Sequence, residues 1–210
     1  MKTNYQLILD NTIKDIVKSG RRPKLLLHSC CAPCSSYVLE YLSEFFDITV
    51  YYYNPNIFPQ EEFDFRSDEQ VRLVESMGLG DRVKVVLCEY DSEAFYDSVR
   101  GMENLPEGGD RCMECFRLRL GKCAEYGTNN GFDYFTTTLS ISPMKNAEKL
   151  NEIGNKVGGK YGVSYLQSDF KKKNGYKRSI ELSKEFGLYR QDYCGCEFSF
   201  RDRQREKKEK

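Results

Sequence analysis

Nothing in this sequence approaches the roughly 18 to 20 consecutive apolar residues that cross a bilayer, and charged residues make up 30% of it. A helical membrane span is thereby excluded and a soluble protein is expected. Residues 1–20 carry acidic and polar side chains through their apolar positions. They read as an amphipathic helix rather than a signal peptide, which implies a cytoplasmic location. Net charge is also missing: 32 basic residues balance 32 acidic ones, so no overall field draws in a polyanion. The single histidine, His28, rules out chemistry that needs two and any histidine-rich zinc centre. Neither a GxGxxG nor a GxxxxGKS/T phosphate loop is present.

What the chain does have is cysteine, nine in 210 residues. In a reducing compartment these do not form a disulfide framework and point instead to metal ligands or redox catalysis. Cys30, Cys31 and Cys34 stand together in HSCCAPC, and Cys112 and Cys115 follow about eighty residues later in RCMEC. Two thiolates at CxxC spacing converge on one metal, and with Cys30 and Cys31 they make a four-thiolate set suited to zinc or to an iron-sulfur cluster. Cys34 is left over as a second-site ligand, a proton donor or a packed thiol. Cys88 ends an apolar run and Cys123 lies in a helical pattern, so both read as packing. Cys194-Gly195-Cys196 is a separate signal. A bend at the glycine would allow a tight, easily reduced disulfide, a two-electron couple; two incidental cysteines or extra ligands are the other readings.

Apolar runs at Lys24–His28, Ile48–Tyr53, Val83–Cys88, Tyr134–Leu139 and Val163–Leu166 read as strands. Helical patterns near the N-terminus, after Pro33, and around residues 62–77, 113–129 and 146–156 lie between and before them. This alternation predicts a single α/β domain over residues 1–200, a parallel sheet flanked by helices, followed by a basic tail at 201–210. In such sheets ligands gather beyond the carboxyl ends of the strands. His28–Cys31, Asn54–Asn56 and Thr138–Ser140 are thus expected on one face. The stretches 101–111 and 189–210 show little regular pattern.

The HSCCAPC turn falls where nucleotide-binding folds often place a phosphate loop, and a helix N-terminus there favours thiolates. Asn54–Pro59 is a turn-rich loop among aromatics, and TTTLSISPMKN offers Ser140, Ser142 and Lys145 as polar donors or as helix-capping groups. The run KKKNGYKR holds five cations, Lys171, Lys172, Lys173, Lys177 and Arg178, with no acid among them. It reads either as a solvated face or as a contact for RNA phosphates.

LLLHSCCAPCSS, YYYNPNIFPQEEF, RCMECFRLRL, TTTLSISPMKN and DFKKKNGYKRSIELSKEFGLYRQDYCGC, in this order, resemble the QueH-type epoxyqueuosine reductases from Lys24 to Phe200. The resemblance implies a HUP-like α/β fold and the last step of queuosine biosynthesis: reduction of the epoxide of epoxyqueuosine, at the tRNA wobble position, without cobalamin. It further implies a 4Fe-4S cluster on Cys30, Cys31, Cys112 and Cys115 and a redox-active pair at Cys194 and Cys196. A mononuclear iron beside the cluster is a further expectation from the resemblance, and Cys34 with Asp110 is the candidate pair for it. The partners implied are tRNA containing epoxyqueuosine and an unidentified electron donor; the five cations of 171–178 then become candidate tRNA contacts. The competing readings are a zinc-stabilised tRNA-binding module without catalysis and an ATP-dependent tRNA sulfurtransferase, the latter disfavoured by the missing phosphate loop.

Overall fold

The computed structural model describes residues 3–209. In chain order it contains α1 (Tyr5–Ser19), β1 (Lys24–His28), α2 (Ala32–Leu42), β2 (Asp47–Tyr52), α3 (Gln60–Ser76), β3 (Lys84–Leu87) and α4 (Ser92–Ser98). There follow α5 (Asp110–Asn129), β4 (Tyr134–Thr137), a 3-10 turn (Thr138–Ile141), α6 (Ala147–Tyr161), β5 (Ser164–Tyr165), α7 (Gly175–Glu185) and α8 (Glu197–Lys208). The strands pair in the order β3-β2-β1-β4-β5, every pair parallel. This is the single-domain, helix-flanked parallel sheet that the alternation predicts.

β1 reads as an unbroken apolar run because it lies at the centre of the sheet, covered on both faces. Its side chains alternate between two cores. Leu25 and Leu27 pack with Leu9 of α1, Val38 and Leu39 of α2 and Leu73 of α3, whereas Leu26 packs with Leu120 of α5, Phe135 of β4 and Leu150 of α6. All three leucines are fully buried, so truncating any one to alanine would cost about 2–5 kcal/mol. The α6 face needs its small residues: a Cβ at Gly158 would lie 2.6 Å from the Val163 carbonyl oxygen, so the helix could not sit this close to β5.

The chain winds outward from β1 to β3 and then returns to the other side of β1 for β4 and β5. The gap above β1 and β4 is therefore the point at which the winding reverses, where doubly wound sheets place their ligands. β4 stops at Thr137, short of the expected Leu139, because Thr137 Oγ1 accepts from the Leu139 amide at 3.2 Å and starts the 3-10 turn. The pattern-poor end of the chain forms α8 instead of remaining irregular. Its periodicity is one of charge: Arg201 pairs with Glu197 and Arg203 with Glu206 at helical spacing.

A thiol-lined candidate active site

Beyond β1 the backbone is held by a buried polar lattice. Gln70 Oε1 accepts from the hydroxyls of Ser29 and Ser35 at 2.6 and 2.8 Å. Asn54 Nδ2 donates to the Ser29 carbonyl at 2.8 Å. His28 is wholly buried. Its Nε2 donates to the Tyr53 carbonyl at 3.3 Å, which leaves Nδ1 to accept from Thr137 Oγ1 at 2.8 Å. It is thus a neutral bolt between β1, β4 and the end of β2. Burial first, and Arg119 second, push its pKa down to about 3.

The sulfurs of Cys30, Cys31 and Cys34 all lie within 4.8 Å of one another, Cys30 and Cys31 being 3.8 Å apart. Cys31 immediately precedes α2 and Cys34 stands three residues on, so the helix puts both sulfurs on one side. No side chain caps the start of α2, leaving its amide end to favour negative charge nearby. Cys30 behaves as the thiolate of the trio. Hydrogen bonds from Cys31 and Cys34 hold its pKa well below the ordinary thiol value against the opposing effect of burial, with help from Arg119 and Thr138. The same bonds hold the protons on the other two: Cys31 is pushed up to about 12 and Cys34 well above the ordinary value. Three thiols within this distance can hold a metal ion. The trio includes Cys34, which the spacing leaves aside, and excludes Cys112 and Cys115.

Those two occupy the first turns of α5, three residues apart. Cys112 Sγ accepts from the Gly108 amide at 3.2 Å. Cys115 is buried and lies 3.8 Å from Arg119 Nη1, one turn along the helix. Burial raises both thiols. Arg119 is 1% exposed and also donates from Nη2 to Asn54 Oδ1 at 2.6 Å, while its Nε has no partner. A buried guanidinium reaching a sulfur is a functional feature that the sequence reading misses; its only signal is an arginine four residues after the second cysteine of a CxxC pair.

A cleft of about 340 Å³ opens over the trio, lined in part by Cys30, Cys31, Cys34, Lys145, Tyr193 and Cys194. Cys194 and Cys196 are free thiols. Lys145 Nζ stands 3.1 Å from Cys194 Sγ. Burial works against the lysine's charge, but the Cys194 sulfur outweighs it and holds the pKa above the ordinary lysine range. Cys196 is buried beside Cys115, Phe95 and Phe198. Its sulfur accepts from the Ser199 amide at 3.4 Å as the cap of α8.

The cations of 171–178 divide into two sets. Lys171 pairs with Asp169 at 2.8 Å, Lys173 with Asp10 at 2.6 Å, and Arg178 with Glu40 at 2.6 Å. Lys172 and Lys177 are exposed, and no ion pair involves them among the described residues. Asp110 is exposed at the start of α5 and joins no three-ligand group with Cys34 among the described residues. No helix of the described residues is long and apolar enough to cross a membrane.

Sheet and cleft together define a doubly wound α/β protein that carries thiols where nucleotide-binding relatives of the architecture carry a phosphate loop. Residues 25–202 match the family described as Epoxyqueuosine reductase QueH. The chain is 44% identical over 200 residues to the epoxyqueuosine reductase QueH of Streptococcus pyogenes serotype M1, covering 94% of this chain and 78% of that protein. It is 44% identical over 202 residues to the Staphylococcus epidermidis protein of the same name, covering 94% and 85%. Against the Thermotoga maritima protein it is 35% identical over 182 residues, covering 85% and 91%. The chain therefore belongs to the QueH family of epoxyqueuosine reductases, which are oxidoreductases.

Proposed function

We propose that the protein reduces the epoxide of epoxyqueuosine at the tRNA wobble position to the alkene of queuosine, closing queuosine biosynthesis. The observation that carries this reading is the cleft itself, in which the Cys30, Cys31 and Cys34 sulfurs and the Cys194 sulfur face one cavity at the reversal of the sheet. Family membership supplies the substrate.

Removing an epoxide oxygen and leaving an alkene takes two electrons and two protons and releases water. A Cys194/Cys196 dithiol holds that number of each, and the external donor restores it afterwards. Cys30, Cys31, Cys112 and Cys115 are the proposed ligands of a 4Fe-4S cluster, with Cys34 available to a further iron. The donor set fits: the sulfurs are soft ligands, and the Arg119 guanidinium lies 3.8 Å from the Cys115 sulfur, where it offsets the negative charge of thiolate ligation. When bound, such a cluster supplies single-electron transfer. The chain's own part is to admit the base and keep cations beside the sulfurs. The wobble base leaves its stack to enter the cleft, while exposed Lys172 and Lys177 meet the RNA backbone.

The test is anaerobic incubation of the reconstituted protein and a strong reductant with tRNA carrying epoxyqueuosine, read by nucleoside mass spectrometry. Loss of one oxygen is the expected result. No conversion by protein with an intact cluster would overturn the reading.

A further inference from the structure

Cys194 and Cys196 are close in sequence yet occupy unlike surroundings. Cys194 lines the cleft, and its sulfur meets the Lys145 ammonium at 3.1 Å. Cys196 is 7% exposed, lies in an apolar cluster with Phe95, Val99 and Phe198, and has its sulfur engaged by the Ser199 amide. Ser199 holds both residues, because its Oγ also accepts from the Cys194 amide at 2.9 Å. Gly195 turns the chain between them at φ 123°, a conformation that a side chain would strain, and a Cβ there would lie 3.2 Å from Arg66 Nη1.

Lys145 is held for its task. Its amide donates to the Ser142 carbonyl at 3.1 Å, and its side chain passes over the Phe116 ring at 5.6 Å. A cation beside a thiol favours the thiolate, the nucleophilic form. For Cys196 burial outweighs the Ser199 amide and the Arg111 cation, which favour a thiolate, and keeps the proton on the sulfur.

We propose that Lys145 is a positioning residue that makes the pair asymmetric, holding Cys194 in the cleft as the reactive sulfur and leaving Cys196 as the buried sulfur that resolves it. This rests on the reductase reading above. Over one turnover the Cys194 thiolate and the Cys196 thiol, which gives up its S–H proton, join in a Cys194–Cys196 S–S bond. Two electrons pass to the epoxide, whose two C–O bonds give way to C=C, and its oxygen leaves as water with the Cys196 proton and one proton from solvent.

The experiment is limiting iodoacetamide labelling of the reduced, reconstituted protein under anaerobic conditions, resolved by residue with peptide mass spectrometry. In the wild type, Cys194 is expected to label at least about tenfold faster than Cys196. Lys145→Met should slow Cys194 about tenfold and Lys145→Arg should restore it to within about threefold. Cys123, fully buried, reports the fold by staying unlabelled. Equal labelling of the two cysteines in the wild type, a comparison that needs no variant, would overturn the inference. So would an unchanged Cys194 rate in folded Lys145→Met. With tRNA as substrate, Lys145→Met should lower kcat and leave KM within about twofold. If the wild type labels asymmetrically but leaves the tRNA unreduced, the assigned reaction fails and the Lys145 assignment stands.

Discussion

Arg119 donates to Asn54 Oδ1 at 2.6 Å across 65 residues of sequence, tying α5 to the loop after β2 directly beside the thiols. The same guanidinium reaches Cys115. Arg119→Met keeps the bulk and removes both the tie and the charge. The variant is expected to fold but to retain less than about half the wild-type iron and acid-labile sulfide after anaerobic reconstitution, since thiolate ligation loses its balancing cation. Wild-type iron content in this variant would remove Arg119 from the account.

Serine substitution separates the proposed four-cysteine cage from the compact trio. At Cys30, Cys31, Cys112 or Cys115 it should abolish the visible absorbance and labile sulfide of a reconstituted cluster. Cys34→Ser should keep both and lose at most about one iron. The opposite pattern, with Cys34 required and Cys112 dispensable, would assign the metal to the trio.

Because Lys171, Lys173 and Arg178 already neutralise acids within the fold, the proposed RNA contacts are Lys172 and Lys177. Reversing both to glutamate should weaken tRNA binding and lower the slope of log affinity against log salt by about 2. A slope that does not move would place the RNA elsewhere.

His28 links stability to pH. Its folded pKa of about 3 lies below the ordinary 6.5, so the unfolded chain takes up a proton below 6.5 that the folded chain refuses until about 3. Stability is full above that window and falls as the pH drops through it. Between pH 7 and 5 the loss should be roughly 2 kcal/mol, read from urea midpoints. The chain has no other histidine, and His28→Gln should flatten the dependence over this range. An equally steep loss in the variant would assign it to other groups.

The strands were legible wherever burial wrote a continuous apolar run: KLLLH in β1 needs no other context. α8 was not, because its stability comes from ion pairs and from docking by Cys196 and Phe198, and a charged helix has no apolar stripe to read. The cysteines announced a thiol site, and the i, i+3 relation of Cys31 and Cys34 held the information that they share a side of α2. Arg66, Arg111 and Arg119 were illegible for a shared reason. Arginine in a sequence reads as solvent-facing, yet all three are at most 2% exposed. Arg111 donates to the Glu103 carbonyl at 2.7 Å, which fastens the irregular stretch before α5. The basic run gave no sign of the acids that pair with Lys173 and Arg178, since Asp10 and Glu40 lie far away in sequence.

The cleft draws its sulfurs from both ends of the chain, Cys30 to Cys34 near the start and Cys194 near the finish. During translation, at about 5–20 residues per second, the first three thiols emerge roughly ten to thirty seconds before the last. Until residue 145 is made they stand without Lys145, and through the whole interval they stand without the segment that carries Cys194. A nascent chain is thus most open to stray oxidants and to adventitious metals while its sheet is only half built. The supply of reducing equivalents, and of iron for the proposed cluster, therefore bears on how much of the newly made protein matures correctly, as well as on how fast the finished protein works.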